Sequence, residues 1–176
     1  MAADLLIRDA LDAERTSISE VTLAAYQEYA ALMPAERWQR YREDIVRTLA
    51  EVKPAEQIVA VRHGAIVGAV LLYPAETVFT VRANQSVTLT WPELRLLAVP
   101  PGLRDQGIGV ALVRECIERA RRSGAKALTL HTADMMKVAM AMYERMGFAR
   151  APELDFKPAP DLTIKGYRLD LTRKCH

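Results

Sequence analysis

The sequence predicts an α/β fold with a mixed, mostly antiparallel central sheet and helices on both faces. Three observations carry this prediction. Apolar, β-branched runs joined by a tight-turn pair come early in the chain. Strand and helix patterns alternate later. Between them, a glycine loop joins an apolar strand directly to an amphipathic helix. At 176 residues and 51% hydrophobic, the chain is sufficient for one core, so a single domain over residues 1–176 is expected.

Taken in order, Leu5–Ala10 reads as a first strand, and Asp12 can cap a helix running from Ala13 to about Leu32. Pro34 resets the chain. From Ala35 to about Glu51 a second helix sets Trp38, Tyr41, Ile45 and Leu49 on one stripe. These aromatics, with Tyr26 and Tyr29, read either as packing or as the wall of an acceptor pocket. Gln57–Arg62 and Ala65–Tyr73 form a hairpin about His63-Gly64, which makes His63 a turn residue. Pro74–Thr80 and Arg82–Ser86 read as loop. The strand Trp91–Val99 follows, then a helix from Gly107 to about Ser123 whose apolar face holds Ile108, Leu112, Cys116 and Ala120, making Cys116 a buried small hydrophobe. Gly124 ends that helix. Lys126–Thr132 is another strand, Met135–Met146 a helix stopped at Gly147, Pro152–Pro160 a proline-rich loop, and Thr163–Leu171 the last strand. Hairpins first and β-α-β units second are what call for a mixed sheet.

With 24 basic and 22 acidic residues, the net charge of +2 is too small to make nucleic acid or an anionic membrane the expected partner. The first residues carry no basic run ahead of an apolar core, and no apolar stretch reaches the ~18 residues of a spanning helix, so a soluble cytoplasmic protein is expected. Cys116 and Cys175 lie far apart, and His63, His131 and His176 show no ligand spacing, so no metal site is expected.

The stretch Glu93–Gly109 is built as an anion cradle. N–H groups in the loop and in the first helical turn lack carbonyl partners, and the helix dipole adds positive charge there. A Cβ at Gly107 or Gly109 would hold an anion away from the main chain or forbid the dihedrals. A dinucleotide fold would want a third glycine near Leu112 and an acid after the next strand, where His131-Thr132 stands. A P-loop would want Gly-Lys-Ser/Thr, which is missing.

What remains is Arg104-x-x-Gly107-x-Gly109 after a strand ending Leu-x-Val, followed one β-α unit later by Tyr143-Glu144-Arg145-Met146-Gly147-Phe148. This pair of motifs resembles the GNAT superfamily of N-acetyltransferases, most closely over about Glu93–Arg150. The resemblance implies transfer of acetyl from acetyl-CoA to a primary amine, in a small molecule or a peptide, by direct attack in a ternary complex without a metal. A homodimer is compatible with it. It also implies that the pyrophosphate rests on main-chain N–H groups of Arg104, Asp105, Gln106, Gly107, Ile108, Gly109 and Val110. The pantetheine arm would pair with Leu97, Ala98 and Val99 in a V between this strand and the next, with a bulge at Leu97 or Ala98 freeing an N–H for the thioester carbonyl. Tyr143 matches the family's acid for the leaving thiolate, against a plain packing role. Glu93 matches a carboxylate that takes the amine proton through water, against an exposed strand-end glutamate. The family's asparagine seven residues before the tyrosine is Met136 here. Arg145, Lys137 and Arg150 are candidates for the 3′-phosphate, each equally readable as a surface charge. A relative that binds acyl-CoA as a sensor without turnover is the alternative.

Overall fold

The computed structural model describes residues 5–82 and 84–173; Cys175 and His176 lie outside them. It shows a mixed, mostly antiparallel sheet with helices, as expected, and the chain falls into two compact units. One comprises Met1–Leu72 with Leu96–Cys116, the other Tyr73–Arg95 with Ile117–His176.

In the first unit, β1 (Leu6–Asp9), β2 (Glu56–Arg62) and β3 (Ala65–Tyr73) form an antiparallel run with Asp9 opposite Ile58 and Val59 opposite Ala69. The hairpin forms because His63 (φ 50°) and Gly64 (φ 77°) are both left-handed, the pairing a two-residue turn of matching twist needs. Consecutive buried residues along β2 and β3 mean that both strand faces are covered. Helix α3 (Ile108–Arg122) supplies one cover: a Cβ on Gly68 of β3 would lie 2.9 Å from Ile108 Cγ2 and 3.0 Å from Leu112 Cδ1. Cys116 is fully buried in α3, as its position in the apolar stripe predicts.

Helix α1 (Arg15–Tyr26) is shorter than expected at both ends. A 3₁₀ turn, Asp12–Glu14, precedes it, and the residue that reaches back is Glu14, whose Oε2 accepts the Leu11 N–H at 2.8 Å. Asp12 is drawn instead to Arg15 at 3.4 Å. A 3₁₀ stretch, Gln27–Leu32, tightens the chain before Pro34, and no glycine or proline announces the change. Helix α2 (Ala35–Ala50) keeps its expected span, with Ile45 and Leu49 buried. Tyr26 meets Tyr29 and Tyr41 edge-on at 5.7 and 6.0 Å, and Tyr41 meets Trp38 at 6.1 Å. The four rings form one packed cluster between the helices.

In the second unit, the start of β6 (Glu93–Ala98) pairs in parallel with β7 (Ala127–Thr132), Glu93 opposite Thr129 and Leu94 opposite Leu130. Strand β10 (Leu162–Asp170) runs antiparallel to β7 and also pairs with β8 (Ala149–Arg150) and β9 (Phe156–Ala159). Gly124 (φ 81°) and Gly147 (φ 96°) end α3 and α4 (Lys137–Arg145), each in the left-handed conformation that favours glycine at a helix C-terminus.

Two expected loops carry structure. Within Pro74–Ser86 and just beyond it, β4 (Val78–Arg82) and β5 (Gln85–Thr88) make a separate hairpin with Phe79 opposite Val87. Strand β5 reads Gln-Ser-Val-Thr, too polar to show an alternating pattern. The proline-rich segment holds a 3₁₀ turn, Pro152–Leu154, and β9, where Pro158 is tolerated because an edge strand has one side with no ladder bond to donate.

Gly166 of β10 is required by packing. An added Cβ would sit 2.4 Å from Leu154 Cβ and 3.0 Å from the Ala151 carbonyl oxygen. Gly166→Ala is therefore expected to lower stability by about 1–3 kcal/mol, since the backbone of the 3₁₀ turn must move. Urea unfolding measures it; a variant as stable as the wild type would show that this turn yields freely.

Candidate active site

The cradle lies in the first unit. After β6, Pro101–Leu103 turn once as a 3₁₀ helix, and the Leu103 N–H bonds to the Pro100 oxygen at 2.9 Å. Asp105 (φ 60°) and Gly107 (φ 76°) then take left-handed conformations. Nothing lies within 4 Å of a Cβ built on Gly107, so its requirement is the dihedral rather than space. The Ala111 N–H bonds to the Gly107 oxygen at 2.9 Å, so the N–H groups of Ile108, Gly109 and Val110 stand in the first turn without intrahelical acceptors. Ile108 is buried, 1% exposed, which pins the start of α3.

The side chain of Arg104 does not serve as an anion clamp. Its Nε donates to the Val99 oxygen (3.1 Å), Nη2 to the Ala25 oxygen (3.2 Å), and the guanidinium pairs with Glu28 at 2.8 Å. It ties the loop to the end of α1. Gln106 accepts a 2.5 Å hydrogen bond from Arg62 Nη1. At the end of β6, Tyr26 Oη donates to the Leu97 oxygen at 3.2 Å, and Ala98 is fully buried. The left-handed residue of β6 is Leu96 (φ 50°), one position before the expected bulge.

In the second unit, Glu93 is not an exposed strand-end carboxylate: it is 1% exposed. Arg95 Nε donates to its Oε1 at 2.6 Å, His131 Nδ1 lies 3.2 Å from its Oε2, and Thr129 Oγ1 is 3.4 Å from the same oxygen. The His131 contact is close but off the N–H direction, so it acts as an ion pair more than as a directed hydrogen bond. The other ring nitrogen, Nε2, is 2.9 Å from the Leu154 oxygen. Arg95 lies 3.7 Å over the Phe79 ring and 5.6 Å from the centre of Tyr73, a cation–π seat. Burial pushes the Glu93 carboxyl up, but His131 and Arg95 outweigh it and hold the group below its ordinary value. Burial pushes His131 down, and Glu93 with the Leu154 carbonyl outweigh that and raise it.

Sequence reading missed Arg95 and His131. The signal is the register: parallel pairing sets Glu93 opposite Thr129, and His131, two residues on, shares Thr129's face. That register is invisible until the two strands are known to be neighbours.

Tyr143 is 5% exposed on α4, its ring edge-on to Phe148 at 5.7 Å. Arg150 is forked onto Asp155 at 2.9 and 2.8 Å and bonded to the Gly166 oxygen. Lys137 and Arg145 are exposed. Among the described residues no group of His, Cys, Asp and Glu could hold a metal ion, and no helix is long and apolar enough to cross a membrane.

Residues 22–148 match the model of the acetyltransferase (GNAT) family. The chain belongs to that family. The match runs from α1 to Phe148 and so takes in the whole of the cradle and the tyrosine motif. A curated relative, named "Probable N-acetyltransferase camello" from Xenopus laevis, is 33% identical over 79 residues, 43% of this chain; the match spans about 36% of that protein's length. A GNAT acetyltransferase from Staphylococcus aureus Mu50 shares the fold at a TM-score of 0.67 and 19% identity, covering 96% of this chain and 99% of its own. A GNAT acetyltransferase from Brucella melitensis, crystallised with acetyl-CoA, does so at 0.59 and 24%, covering 84% of each chain.

Proposed function

We propose that the chain is a single-domain N-acetyltransferase that moves acetyl from acetyl-CoA to a primary amine of a small molecule or peptide by direct attack in a ternary complex. The observation that carries this reading is the loop Arg104–Val110, where left-handed Asp105 and Gly107 lead into α3 and the first helical bond, Ala111 N–H to the Gly107 oxygen, leaves the N–H groups of residues 108–110 without intrahelical acceptors. Those groups hold the pyrophosphate, and Leu97–Val99 guides the pantetheine arm. Glu93 takes the amine proton through water, and Tyr143 protonates the departing thiolate. A cytoplasmic location goes with this reading.

Calorimetric titration of the purified chain with acetyl-CoA tests the first half. Saturable binding that is weakened by Gly107→Val, whose Cβ forbids the left-handed turn, is the expected result. An acetylation screen over amino acids, polyamines, aminoglycosides and peptide N-termini tests the second. A chain that neither binds nor is stabilised by CoA overturns the assignment.

A further inference from the structure

Outside the cofactor loop, Glu93, Arg95 and His131 form a largely buried cluster of titratable groups, and its geometry says more than that it is an ion pair. A neutral imidazole has one N–H donor and one lone pair. The Leu154 carbonyl, 2.9 Å from Nε2, can only accept, so Nε2 keeps its proton in either charge state. The nitrogen left to gain or lose a proton is Nδ1, which faces Glu93 Oε2 at 3.2 Å. With the ring neutral, two lone pairs confront one another there; one proton makes the contact attractive. Arg95 holds the opposite oxygen, Oε1, at 2.6 Å, and is itself fixed against the Phe79 ring. Among the described residues the charged groups that act on the ring are Glu93 and Arg95 from β6 and Asp155 from the segment before β9. The cluster thus has one defined vacancy for one proton, between a buried carboxylate and a ring whose tautomer is set from behind.

We propose that Glu93 and His131 form a single proton-holding couple that takes the proton of the acceptor ammonium through water, the proton resting on His131 Nδ1 and the Glu93 carboxylate holding it there. This rests on the acetyltransferase reading above. Two protons leave the amine nitrogen overall. The first passes through water to the couple, turning carboxylate and neutral imidazole into carboxylate and imidazolium, and is later released to solvent. The amine then forms its N–C bond and the thioester C–S bond breaks. The second proton balances the one that the CoA thiolate takes from Tyr143. The couple accepts a proton only when His131 is neutral, so turnover should rise with pH through the raised value of the pair, above the ordinary ~6.5 of histidine.

The test is the pH dependence of kcat/KM for an amine acetylated by the wild-type chain, set beside His131→Asn, which can still offer an N–H toward Glu93 but cannot titrate. The wild type is expected to show an ascending limb centred above ~6.5. In His131→Asn that limb disappears, and the rate falls by about 10²-fold. Acetyl-CoA affinity stays within about twofold, since the cofactor loop is backbone. A variant that retains both the limb and the rate overturns the proposal. A second measurement needs no turnover: the His131 ring, followed by NMR, should titrate above ~6.5 in the wild type and shift downward in Glu93→Gln. No shift would overturn the couple. Failure of the wild type to bind acetyl-CoA would instead strike the acetyltransferase reading, while the NMR titration still decides whether Glu93 and His131 share a proton.

Discussion

Glu93→Ala is expected to lower folding stability by about 3 kcal/mol near pH 5.5, at the lower end of the roughly 3–5 kcal/mol typical of breaking one side of a buried ion pair. The carboxylate is 1% exposed and stands between two cations, so its removal strands charge where water does not freely reach. Two features hold the figure down. The Arg95 side chain keeps 35% of its surface in water, and His131 can shed its proton. Glu93→Gln should lose less, about 1 kcal/mol, because its amide oxygen can accept from Arg95 while its NH₂ donates to a neutral Nδ1. The pH dependence has a definite sign. Glu93 is lowered in the folded state, so its contribution is present above its ordinary value near 4.5 and is lost as pH falls through the folded value. His131 is raised, so its contribution is complete below its ordinary 6.5 and is lost as pH rises through the folded value. The gap between wild type and Glu93→Ala should therefore be widest between about pH 4.5 and 6.5 and narrow on either side. Urea unfolding at pH 4, 5.5 and 8.5 reads this directly; a gap that is flat across the three would mean that the cluster contributes no pH-linked stability.

The contrast between Gly107 and His131 shows what the sequence could convey. Gly107, Gly124 and Gly147 all take the positive φ angles that their positions after a loop or at a helix end imply, because a chain reversal is a local requirement written in the residue that meets it. The apolar runs at β2, β3 and β7 likewise had only to bury themselves. Arg104 was placed in the right loop, but its side chain went to Glu28 and Ala25, residues 76 and 79 positions away, and nothing local predicts such partners. The same holds for Glu93, whose burial follows from a parallel register set by the crossover through α3. The hairpin β4–β5 was missed for a different reason. Its two short strands pair with each other only, and β5 is polar and exposed along its length, so no buried face imposes an alternating pattern there.

Tyr143→Phe is expected to lower kcat by about 10²-fold while leaving acetyl-CoA affinity within about twofold, if the hydroxyl protonates the leaving thiolate. The lower end of the general-acid range applies because a thiol of pKa near ~8.5 leaves without full protonation more readily than an alkoxide or an amine would. Affinity should hold because the proposed contacts to the cofactor come from main-chain N–H groups at Arg104–Val110 and owe nothing to this side chain. The ring, 5% exposed, should stay edge-on to Phe148, so its packing is retained and any cost to folding is limited to the hydroxyl, about 1 kcal/mol. A drop in kcat with unchanged calorimetric affinity in a variant still fully folded at the assay temperature is therefore specific to proton transfer. Full activity in Tyr143→Phe would return Tyr143 to a packing role and leave the thiolate to be protonated by solvent. A combined loss of activity, affinity and stability would instead show that the hydroxyl holds the end of α4 in place, ahead of Gly147 and Phe148, and acts on the reaction only through structure.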